Sequence, residues 1–282
     1  MIVASGNVDV TKVIESAVLM AKDENSIHEL NEKKGPGSCR HPDGWGAAYL
    51  NKAGEFVLQK STQAIFEDSE VRKLSKLGKI KTSLFIIHVR KKAGSKVALE
   101  NTHPFMTKHP QLGKYVFCHN GFIKGAITFD PEFKPKGETD SEKLFYSILS
   151  NIKENNETKN KENKNKEKKA ENNENTETGP GTVLRRTIHK YNTEGTNVIL
   201  ATEERTYVAV RKHRRPKYYQ MNIGQRKDLL IISSEKLKTF PDLFWKAAEQ
   251  GDVITFDNGS EKYVLSKEPK HFIRKLIDII KR

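Results

Sequence analysis

Four residues of this chain have the types and spacing to bind an amino acid and work on its side chain. Arg90 closes the run His88-Val89-Arg90, Asn120 and Gly121 close His119-Asn120-Gly121, and Asp140 sits inside Gly137-Glu138-Thr139-Asp140-Ser141-Glu142. A planar guanidinium grips a carboxylate through two parallel hydrogen bonds, which an ammonium cannot do. Asp140 can accept from an α-ammonium and balance its charge. Asn120 offers a side-chain NH2 and Gly121 an unobstructed backbone N–H, and two such donors converging on one point make an oxyanion hole. Singly, each has an ordinary reading: a surface ion pair, a hairpin turn or a helix cap. Together they describe glutamine with its side-chain amide under attack.

These residues must be held by strands and helices that the pattern of apolar residues predicts. Met1 to Ala4 reads as a short strand. Val10, Val13, Ile14, Ala17, Val18 and Ala21 recur at helical spacing behind Asp9, a suitable N-cap. Strands at 47–50 and 55–58, joined by a turn at 52–54, predict a hairpin, and a helix follows over 68–77. Ser83 to Val89 is continuously apolar until His88, as in a strand covered on both faces. A strand at 115–118 is expected to stop at His119-Asn120-Gly121. Thr139-Asp140-Ser141 then opens a helix that turns Leu144, Phe145, Ile148 and Leu149 inward. Further elements are a helix over 183–191 and strands at 197–200, 207–210, 229–232, 253–256 and 263–265. A last helix carries Phe272, Leu276 and Ile280 on one stripe. Such an order fits a layered α+β domain.

Composition bounds the rest. The chain has 282 residues, a formal charge of +14 and 35% hydrophobic residues. From 151 to 178 it is almost wholly Asn, Lys, Glu and Thr, with seven Lys balancing seven Glu. That segment buries too little apolar surface to offset the entropy of ordering it, so it reads as a disordered surface insertion in a single domain over 1–282. The charge therefore belongs to the remainder. Its densest patch, Arg211-Lys212-His213-Arg214-Arg215 with Lys217, Tyr218 and Tyr219, reads as a solvated hairpin tip. No recognised nucleic-acid module accompanies it, so nucleic acid is not an expected partner. Cys39 and Cys118 form neither a disulfide framework nor a CxxC pair. Isolated His41, His88, His103 and His119 lack an HExxH pattern, and neither a metal nor another cofactor is expected. Signal-peptide and membrane-spanning patterns are not apparent, which makes a cytoplasmic protein the expectation.

The order of motifs resembles the class II, N-terminal-nucleophile glutamine amidotransferases, especially their stand-alone members. It rests on Asp43-Gly44-Trp45-Gly46, His88-Val89-Arg90, Leu99-Glu100-Asn101-Thr102-His103-Pro104-Phe105, His119-Asn120-Gly121 and the 137–142 block, with a weaker echo in Leu230-Ile231-Ile232-Ser233-Ser234. The resemblance implies a four-layer αββα sandwich of the N-terminal-nucleophile hydrolase type. It implies substrate binding by Arg90 (carboxylate), Asp140 (amino group) and His103, and an oxyanion hole at Asn120 and Gly121. Release of ammonia from glutamine or a γ-glutamyl amide is the implied activity, and ammonia transfer would need a separate synthase. Lys91 and Lys92 replace the tryptophan and threonine that often follow the arginine in larger members.

One part of the pattern is missing. The mechanism needs a cysteine whose own free α-amino group takes the thiol proton, yet Met1 is followed by Ile2. Cys39, Cys118 and Ser5 have peptide-bonded nitrogens and cannot substitute. Two readings follow: a start placed a few residues too late, or a pseudoenzyme that binds glutamine without cleaving it. The intact set of binding residues favours the first.

Overall fold

A computed structural model describes residues 1–76, 81–165, 179–212 and 215–267. Its strands build two antiparallel sheets. The first has the order β11 (Phe244–Ala247), β9 (Asn222–Arg226), β10 (Leu229–Ser233), β1 (Ile2–Gly6), β4 (Leu84–Val89), β2 (Trp45–Leu50) and β3 (Phe56–Ser61). The second runs β13 (Val264–Ser266), β12 (Val253–Asp257), β8 (Arg205–Lys212), β7 (Asn192–Ala201), β6 (Gly113–Lys124) and β5 (Phe105–His109). Helices α1 (Val10–Ala21) and α2 (Ser69–Lys76) accompany the first sheet, and α3 (Asp140–Asn165) and α4 (Pro180–His189) cover the second.

The alternation of side chains along each strand produces three apolar layers. Ile2 and Ala4 of β1, with Phe85 and Ile87 of β4, meet α1 through Val13, Ile14 and Ala17. Val3, Leu84 and Ile86 point the other way, into a core between the sheets that includes Val116, Cys118, Ile199 and Val208. Phe117, Val198 and Leu200 face the third layer, where α3 contributes Leu144, Phe145, Ile148 and Leu149. This is the αββα sandwich. Strand β4 is apolar throughout because both of its faces are covered, and all six of its residues are buried. Asp9 caps α1 by accepting from the Lys12 backbone N–H at 3.1 Å.

Several elements differ from the sequence expectation. Strand β6 does not stop at residue 118 but continues through His119, Asn120 and Gly121 to Lys124, with a bulge between Gly121 and Ile123. The Asn-Gly pair is therefore inside a bulged strand, a position that re-aims side chains beside sites, and not in a hairpin turn. Strands β8 and β9 belong to different sheets, so the basic segment between them is a crossover and not a hairpin tip. Helix α3 extends through residues 151–165, where a structureless insertion is expected; its apolar stripe continues one more turn to buried Ile152 before the polar run takes over. Residues 166–178 and the terminal helix with Phe272, Leu276 and Ile280 lie outside the described residues. Among the described residues no helix is long and apolar enough to cross a membrane.

Ile86 is fully buried between the sheets, so Ile86→Ala is expected to lower the unfolding free energy by roughly 2–5 kcal/mol. Urea denaturation measures this; a loss under about 1 kcal/mol would show that the two sheets are not tightly packed there.

Candidate functional site

At one end of the sandwich a cavity of about 980 Å³ opens between the sheets. Every site residue expected from the sequence lines it: Arg90, His103, Asn120, Gly121 and Asp140. So does Met1, whose α-amino group donates to Ser234 Oγ at 3.2 Å and is lowered by burial to a pKa of about 6.

The Asp43-Gly44-Trp45-Gly46 motif sets the position of Arg90. Arg90 N–H donates to Gly44 O at 2.8 Å and Asp43 N–H to Arg90 O at 3.1 Å, which fastens the end of β4 to the start of β2. Gly44 has φ of +116°, a conformation that favours glycine, and at Gly46 a Cβ would collide with the carbonyl of His103. Trp45 Nε1 donates to Asp68 Oδ2 at 2.9 Å. The guanidinium is buried, and burial lowers its pKa against the opposing charges of Asp43 and Glu138. Nη1 donates to Asp43 O at 3.1 Å, while Nη2 donates to Ser95 Oγ at 2.7 Å and Lys96 O at 3.0 Å. Both edges of a guanidinium that can fork onto a carboxylate include Nη2. A two-pronged grip therefore requires Ser95 or Lys96 to yield its bond.

Asp140 lies at the start of α3, where Thr139 Oγ1 accepts from the Glu142 N–H at 3.1 Å. The Glu142 carboxylate in turn accepts the N–H groups of Lys136 at 3.0 Å and Gly137 at 2.7 Å. Asp140 Oδ2 accepts from Ile123 N–H at 2.7 Å, across the bulge of β6. A carboxylate has about four acceptor positions, so capacity remains for an ammonium. Asn120 makes no side-chain hydrogen bond with another described residue, and two positions along β6 from Cys118 it shares that residue's face, the one between the sheets. A Cβ at Gly121 would collide with Gly195 O and press His119 Nε2. The bulge and the absent side chain bring this backbone close to its neighbours.

Sequence reasoning quoted Asn101 without assigning it a role. Its carboxamide donates to Lys96 O at 3.2 Å and accepts from Glu138 N–H at 2.9 Å, and Glu138 Oε1 accepts from Lys96 N–H at 2.6 Å. The Arg90 loop and the approach to α3 are thereby joined. His119 was likewise unassigned; its Nδ1 meets Ser141 Oγ at 2.9 Å. The signal available for both was their place inside the motifs.

The cavity floor is lined by His41, His88, His103 and His119. The His88 and His103 rings stand 4.3 Å apart, and neither nitrogen of His103 has a hydrogen-bond partner among the described residues. Burial pushes His41 down to a pKa of about 3 and takes His88, His103 and His119 below the usual range, with Asp140 opposing the shift at His119. Among the described residues no three His, Cys, Asp or Glu side chains are grouped to hold a metal ion. Cys118 is fully buried, and burial raises its thiol pKa; Cys39 Sγ accepts from Lys91 Nζ at 3.0 Å. Neither thiol is among the residues lining the cavity.

Histidines held neutral in the folded state bind protons on unfolding. Their contribution is complete above the ordinary pKa of 6.5 and is lost as pH falls toward the folded values. His41, held at about 3, should by itself lower the unfolding free energy by roughly 1.4 kcal/mol between pH 7.5 and 5.5, and His88, His103 and His119 act in the same direction. Denaturation curves at the two pH values test this, with His103→Gln flattening the dependence; a pH-independent stability would show that the fold does not shift the imidazoles.

Comparison with known proteins agrees with the geometry. A profile of the class II glutamine amidotransferases matches residues 27–276. The Escherichia coli protein named "Putative glutamine amidotransferase YafJ" is 36% identical over 121 residues, which are 43% of this chain and 46% of that protein. The matched stretch is thus under half of either chain. Among solved structures, the glutamine phosphoribosylpyrophosphate amidotransferase of B. subtilis superposes with a TM-score of 0.57 at 16% identity, over 94% of this chain and 48% of that one. A glutamine aminotransferase class-II domain protein from Silicibacter pomeroyi gives 0.55 at 17%, over 94% and 97%. At such identities the structures speak for the fold alone. The extent of the profile match, on a sandwich of this architecture, makes the chain a member of the class II glutamine amidotransferases.

Proposed function

We propose that this protein is a glutamine amidohydrolase that releases ammonia from the side-chain amide of glutamine, or from a γ-glutamyl amide, once a cysteine with a free α-amino group precedes the chain. The observation that carries the reading is that one cavity is lined by a buried guanidinium, a carboxylate, a carboxamide without a partner among the described residues beside a glycine, and Met1. The substrate carboxylate replaces Ser95 or Lys96 on Arg90, and its ammonium meets Asp140. His103 borders the substrate from the floor.

The chemistry then follows from what each group can do. The α-amino group takes the thiol proton, and sulfur attacks the amide carbon. The carbonyl oxygen becomes an oxyanion that Asn120 Nδ2 and the Gly121 N–H stabilise. Collapse expels ammonia, which leaves with the proton held by the amino group, and water cleaves the thioester to glutamate. Residues placed ahead of Met1 would extend from a group that already lines the cavity. A single domain over 1–282, cytoplasmic residence and a separate ammonia-accepting synthase belong to the same proposal. A second reading is a protein that binds glutamine without cleaving it, since neither Cys39 nor Cys118 is among the residues lining the cavity.

The test is a chain carrying an added N-terminal Cys exposed by methionine removal, assayed for glutamate and ammonia. Arg90→Ala and Asp140→Ala should each raise KM for glutamine by tenfold or more, on the order of one charged hydrogen bond. Asn120→Ala should lower kcat by roughly a hundredfold or more with KM little changed. Glutamine binding without turnover would select the second reading, and failure of both glutamine and a γ-glutamyl amide to bind would refute both.

A further inference from the structure

His119 is a buried imidazole whose second nitrogen the fold leaves open. Its Nδ1 meets Ser141 Oγ at 2.9 Å, whereas Nε2 is buried without a hydrogen-bond partner among the described residues. The residue is 2% exposed, and His119, Gly121, Asp140 and Ser141 all line the cavity. A Cβ at Gly121 would lie 2.5 Å from Nε2, so the glycine keeps this nitrogen uncovered. A buried polar atom left unmet is costly, which points to a ligand atom opposite it.

The hydrogen bonds around Ser141 fix what that nitrogen can do. A carboxylate only accepts, so the single hydroxyl proton of Ser141 goes to Asp140 Oδ1 at 3.4 Å. Ser141 Oγ then accepts from His119 Nδ1–H, which leaves Nε2 with a bare lone pair. Burial holds the ring below its ordinary pKa, with Asp140 opposing, so the imidazole is neutral near pH 7. Alternation along β6 places His119 on the face opposite Asn120, where Phe117 and α3 lie. Asp140 stands on that same side, at the start of α3. The open acceptor therefore belongs to the amino-group end of the site and not to the oxyanion end.

Resting on the glutamyl-binding reading above, we infer that His119 is a substrate-binding residue whose Nε2 accepts a hydrogen bond from the α-ammonium beside Asp140. An α-ammonium brings three N–H donors to satisfy. Asp140 has Oδ2 committed to Ile123 N–H and Oδ1 to Ser141, so about two of its four acceptor positions remain. The third donor goes to Nε2, a neutral acceptor that adds no second negative charge. Ser141 is a positioning residue, because it holds the tautomer that presents the lone pair.

Titration calorimetry on the chain as it stands compares glutamine with glutaramate, which keeps the carboxylate and the amide but lacks the α-amino group. A second pair, γ-glutamyl ethylamide and N-ethylglutaramate, carries the same comparison. The amino ligand of each pair should bind more tightly. His119→Phe should shrink that preference by about tenfold or more, the worth of one hydrogen bond to a charged group. Affinity for the ligands without the amino group should stay the same, which a merely structural role of His119 would not allow. His119→Gln, whose side-chain oxygen reaches the place of Nε2, should restore most of the preference. His119→Asn keeps a partner for Ser141 but ends short of Nε2, and should lose the preference as His119→Phe does; it decides the matter if the Phe variant does not fold. Equal weakening of both members of a pair, or a preference that these substitutions leave intact, overturns the inference and leaves Asp140 as the ammonium's anchor. Failure of the parent chain to bind any of the four ligands overturns the glutamyl site, and this inference with it.

Discussion

The carboxamide of Asn101 holds the two halves of the site in register. It donates to the loop that carries the partners of Arg90 and accepts from the loop that leads to Asp140, and Glu138 closes the bridge by accepting from Lys96 N–H. Gly137 is required beside it because a Cβ there would collide with Asn101 Oδ1. Asn101 is buried, and a buried amide with both ends satisfied is far more directional than apolar contact, since leaving either end unmet costs about 1–3 kcal/mol. A cationic and an anionic group proposed to meet the two ends of one amino acid need such a spacer. Without it their separation would follow the mobility of two loops.

The second coupling runs through β6. Asp140 accepts the Ile123 N–H just beyond the bulge, and Ser141 meets His119 just before Asn120. The start of α3 is thus tied to the strand on both sides of the Asn-Gly pair, so the groups proposed to meet the ammonium and the oxyanion are anchored to the same backbone. The bulge gives the strand its bend there. Below, neutral histidines offer a polar floor without adding charge, because burial opposes their protonation. The net positive character of the cavity comes from Lys and Arg at its walls.

Three dry layers explain why the polar residues gather at one end. The cores on either side of and between the sheets are filled by β-branched, leucine and aromatic side chains, and uncompensated polar groups there would be costly. His88, at the end of β4, and His119, well along β6, are where the strands leave those layers.

Much of this was legible in the residues themselves. Helical and strand periodicities located α1, β4 and the inward face of α3, because burial on one face or two writes directly into the spacing of apolar residues. The chemistry of Arg90, Asn120, Gly121 and Asp140 could be read from residue type, since donor and acceptor geometry belongs to the side chain. Strands β5, β9 and β11 were missed: Asn222 to Arg226, for one, has little apolar alternation, and its place comes from pairing with β10 and β11. The continuation of β6 through Asn120-Gly121 was missed because the same dipeptide suits a tight turn, and only partner strand β7, with Asn197 and Thr196 opposite, selects the extended form. The basic run before Tyr218 and Tyr219 gave no sign of facing a cavity. That depends on β8 and β9 lying in different sheets, with Arg215 and Lys217 of the connection among the residues lining the cavity. Local sequence determined which groups could act, and long-range pairing decided which of them meet, because contact between residues a hundred positions apart depends on the packing of whole sheets.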